Sequence, residues 1–80
     1  MKNSIAQQWE SFSANVLPRD APTVQRQEMR RAFYAGAHAM LEMTSAICDP
    51  SVSEDAGVHM IHGWFEESAH FAQQVVAGSA

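Results

Sequence analysis

Basic side chains are scarce in this 80-residue chain: five Lys and Arg stand against nine Asp and Glu, a formal net charge of −4. Such a balance disfavours nucleic acid as a partner, because binding to a phosphate backbone relies on a positive surface. Cysteine is scarcer still. Cys48 alone closes no intrachain disulfide, and paired Cys and His at zinc-finger spacing are missing. Long apolar runs are missing too. The longest stretch free of Asp, Glu, Lys and Arg, Ser68 to Ala80, is too short and too polar to cross a bilayer. Met1 to Gln8 lacks an apolar core of signal-peptide length. There is no glycine-rich phosphate loop and no Gly-x-Ser-x-Gly elbow. Cys48 falls at the carboxyl end of a helical segment, where the helix dipole does not activate a thiolate. These shortages predict a non-enzymatic protein of a reducing cytoplasm, without membrane contact and without a cofactor.

The chain does have apolar content, 46% of residues. That is enough for one globular domain over residues 1–80, although a domain of this size buries only about 60% of its unfolded surface. The apolar spacing is helical almost throughout. Ser4 and Gln7 form a capping-box pattern ahead of Ile5, Trp9, Phe12 and Val16, which share one face. Leu17-Pro18 ends that segment, since the residue before a proline is pushed out of the α region.

Asp20 is a candidate N-cap for a second helix, whose seam is Met29, Phe33, Gly36, Met40, Met43 and Ile47. After Asp49-Pro50, Ser51 or Ser53 with Glu54 and Asp55 opens a third, which Gly78 stops. The expected fold is therefore all-α. Helices over about 4–17, 21–47 and 53–77 form a long αα-hairpin plus a shorter N-terminal helix, packed as a small bundle.

The third helix has two apolar stripes. Val58, Ile61, Phe65, Ala69, Ala72 and Val76 form one, and Met60, Trp64, Phe71 and Val75 the other. One neighbouring hairpin arm covers one stripe but hardly both, and an uncovered stripe marks an interface. Gly36, among the small residues Ala32, Ala35 and Ala39, either lets another chain's backbone approach or makes room for Trp9 or Phe65 within the chain. A homodimer or higher oligomer is expected, with Gly36, Met60, Trp64 and Phe71 at its interface.

Two polar clusters are candidates for chemistry. His59, His62, Glu66 and His70 share one face of the third helix at metal-ligand spacing, and Glu67 to His70 has a Glu-x-x-His pattern. A second such motif is missing, so the face reads as solvated rather than as a metal site. Arg26, Arg30 and Arg31, with Arg19 just upstream, bring four of the five basic side chains into thirteen residues. Arg26, Arg30 and Tyr34 follow one ridge, an arrangement able to grip a phosphate and stack a base. The competing reading is ordinary surface pairing, such as Arg31 with Glu28.

The stretch Gln25-x-x-Glu28-Met29-Arg30-Arg31-Ala32-Phe33-Tyr34-Ala35-Gly36 resembles a family of short phage and prophage proteins with no established activity. The likeness extends to Trp9-x-x-Phe12, to Leu17-Pro18 with Pro22, and to Phe71-Ala72-x-x-Val75-x-Ala77-Gly78. The resemblance implies an accessory protein directed against host defences and working in the host cytoplasm. One implied role is an oligomeric sponge for a phosphorylated nucleotide signal; the arginine cluster itself offers Arg26, Arg30, Tyr34, Arg31 and Arg19 as the expected ligand-binding residues. The alternative is an anti-CRISPR-like inhibitor that covers a host defence protein with its acidic surface.

Overall fold

Each helix boundary has a local cause. The computed structural model describes residues 3–80, so Met1 and Lys2, at the start of the segment read for a targeting signal, lie outside the described residues. Helix α1 spans Ile5–Val16, α2 spans Thr23–Ile47 and α3 spans Glu54–Ala77, with no strand among the described residues. The all-α architecture of three helices expected from the periodicity is the one observed.

At the start of α1 the Ser4 hydroxyl accepts from the Gln7 backbone N–H at 3.1 Å. The Gln7 side chain reaches back to accept from the Asn3 N–H at 3.1 Å and from the Ser4 hydroxyl at 3.2 Å. Reciprocal bonds of this kind satisfy amides that a helix start otherwise leaves open. Leu17 closes α1 in extended backbone, its N–H donating to the Ser13 carbonyl at 3.1 Å.

Helix α2 begins at Thr23, later than Asp20 and Ala21 suggest. The Ala21 N–H donates to the Pro18 carbonyl at 3.1 Å, which closes a turn through Arg19 and Asp20 and removes Asp20 from any capping role. Pro22 lies just outside the helix, and its carbonyl accepts the first helical bond, from Arg26, at 3.0 Å. At the other end, the Asp49 carboxylate accepts from the Ser51 N–H at 2.8 Å and the Asp49 carbonyl from the Val52 N–H at 2.9 Å. Ser53 then caps α3, its hydroxyl accepting from the Ala56 N–H at 3.1 Å. Gly78 ends α3 in the left-handed region at φ 76°, where a side chain would be strained.

The chain divides into two compact units, Met1–Thr44 and Ser45–Ala80, with the boundary inside α2. In the first unit α1 packs on α2 through three rings. Trp9 lies 5.9 Å from Phe12 and 5.5 Å from Phe33, and Phe12 lies 5.3 Å from Phe33 (centroid separations). Trp9 and Leu17, each 8% exposed, are the buried apolar side chains of this core. In the second unit Gly57 is buried against the end of α2, where an added Cβ would stand 3.8 Å from the Ile47 carbonyl oxygen. No described helix is long and apolar enough to cross a membrane.

Candidate functional site

The arginine-rich start of α2 is where charge is most concentrated, and each guanidinium there has its own environment. Arg26 turns back to donate to the Pro18 carbonyl at 3.2 Å, so it fastens the turn between α1 and α2. Arg30 lies over the Tyr34 ring, 5.6 Å from its centroid. Spacing i, i+4 sets this contact, because residues four apart stand above one another on a helix. Arg31 pairs with Glu28 at 3.3 Å with both side chains well exposed, an arrangement worth at most about 1 kcal/mol. Arg19 is exposed in the turn. The helical ridge anticipated from the sequence therefore exists as an Arg30–Tyr34 contact, with Arg26 drawn off it toward the backbone.

The first unit carries an open groove of about 460 Å³ lined by Asn3, Ser4, Ile5, Gln8, Phe33 and Ala37. Its walls carry amide and hydroxyl groups and no arginine. Gly36 is exposed, and a Cβ placed there would meet nothing within 4 Å, so neither Trp9 nor any other side chain of the first unit occupies the space it leaves. A side-chain contact on α2 that the sequence reading overlooked brings His38 Nε2 to 2.9 Å from Glu42 Oε1. The i, i+4 spacing was the available signal.

On α3 the polar arc carries Asp55, His59, His62, Glu66 and His70, all exposed. Among the described residues no three His, Cys, Asp or Glu side chains come together as a metal-binding group. The Arg31–Glu28 ion pair and the His38–Glu42 contact both lie on α2, and the acids of α3, Glu54, Asp55, Glu66 and Glu67, have no ion pair among the described residues. The apolar arc opposite is largely in water. Met60 and Phe71 are exposed and Trp64 is half-buried, while Val58, Phe65 and Val76 of the other stripe are exposed as well. An open apolar depression of about 350 Å³ lies on this helix, lined by Ala72, Gln73, Val76 and Ala77. Helix α3 thus carries Asp55 and Glu66 on the histidine arc, Glu67 about 100° further round and Glu54 in line with Val58, with exposed apolar side chains on the remaining faces.

Comparison with protein-family models, with curated proteins and with solved structures gives no match for this chain.

Proposed function

We propose that this chain is a non-enzymatic, phage-encoded binding protein that acts in the host cytoplasm by covering a basic surface of a host defence protein. The observation that carries the reading is the set of four α3 acids, Glu54, Asp55, Glu66 and Glu67, without a cation partner among the described residues. In a chain of net charge −4, such carboxylates steer association toward a positive patch and set which partner is accepted. The phage and anti-defence parts of the reading rest on the likeness around Gln25 to Gly36. The test is plaque formation by a sensitive phage on a defended host that expresses the chain. Expression restores plaques, and Glu66→Lys with Glu67→Lys abolishes the rescue while helix content is retained. Rescue that survives this charge reversal would overturn the reading.

A second reading, sequestration of a phosphorylated nucleotide signal, is favoured by the guanidinium of Arg30 held over the Tyr34 ring at 5.6 Å. Such a pair presents a charge for phosphate beside an aromatic face for a base. A panel of cyclic di- and trinucleotides separates the two readings. A bound nucleotide raises the melting midpoint by mass action, and Arg30→Ala removes the rise. A midpoint unmoved by every member of the panel rejects this second reading.

A further inference from the structure

We draw no further inference here: the strongest candidate, the apolar surface patch along α3 at Val58, Phe65 and Val76, carries nothing, since nothing in the structure shows what covers it.

Discussion

Trp9 meets Phe33 edge-on, with 5.5 Å between ring centroids and 60° between planes. Phe12 completes the cluster, and the three side chains come from two helices separated by the Leu17-Pro18 break. Because Trp9 is one of the two buried apolar side chains of the first unit, this cluster decides whether α1 stays on α2.

Phe33→Ala should therefore destabilise the chain by about 3 kcal/mol, the cost of removing a ring from a packed site. Denaturant unfolding followed by tryptophan fluorescence measures it. A double-mutant cycle of Trp9→Leu and Phe33→Leu should return a coupling of about 0.5–1.5 kcal/mol, the part due to edge-to-face geometry rather than area. A cycle that closes at zero would mean that the rings merely share a neighbourhood.

Ser53→Ala should cost about 1 kcal/mol, since the α3 amide at Ala56 loses its hydroxyl acceptor. In a chain of this length that lowers the melting midpoint by roughly 4–8 °C. Hydrogen exchange adds position. The amides of the first turns of α3 should lose protection while those around Trp9 keep theirs, because the cap serves the second unit alone.

Gly36→Ala should stabilise the chain by up to about 1 kcal/mol of helix propensity, and so raise the melting midpoint, since the added methyl meets nothing within 4 Å. The same holds for Gly63, which also faces open space. A fall at Gly36 with a rise at Gly63 would mean that a second backbone lies against Gly36 in the assembled protein.

The Asp49 carboxyl is held below its ordinary value of 3.8, first by the Ser51 hydroxyl and then by the Ser51 backbone N–H, against a small opposing effect of desolvation. A carboxyl depressed in the folded state adds stability that is complete above its unfolded pKa and is lost as pH falls through the folded one. The contribution is thus present at neutral pH and disappears in acid, below the ordinary carboxylate range. Ser51→Ala should move the Asp49 titration upward in carbon-detected NMR, toward the ordinary value. An unchanged midpoint would assign the depression to the backbone N–H alone.

The helix ends at Ser4, Leu17 and Gly78 were legible in the sequence, because a cap needs only partners within about four residues; for the start of α3 the sequence offered Ser51 or Ser53, and the structure selects Ser53. The same locality makes the Arg30–Tyr34 and Arg31–Glu28 contacts readable as i, i+4 and i, i+3 pairs. The start of α2 lies later than an Asp20 cap implies, because the turn closed by Ala21 on Pro18 takes up Arg19 and Asp20.

Spacing alone determined that the chain is three helices and that α3 carries two apolar stripes, since helical geometry converts sequence separation directly into angle. Only the tertiary structure decided that Trp9, Phe12 and Phe33 converge, that Arg26 turns back to the Pro18 carbonyl, and that the space beside Gly36 stands open. It likewise decided that Phe65 and Val76 face water. Burial and exposure depend on which distant residues share a neighbourhood, and that is settled by packing between elements rather than by the order of residues within one.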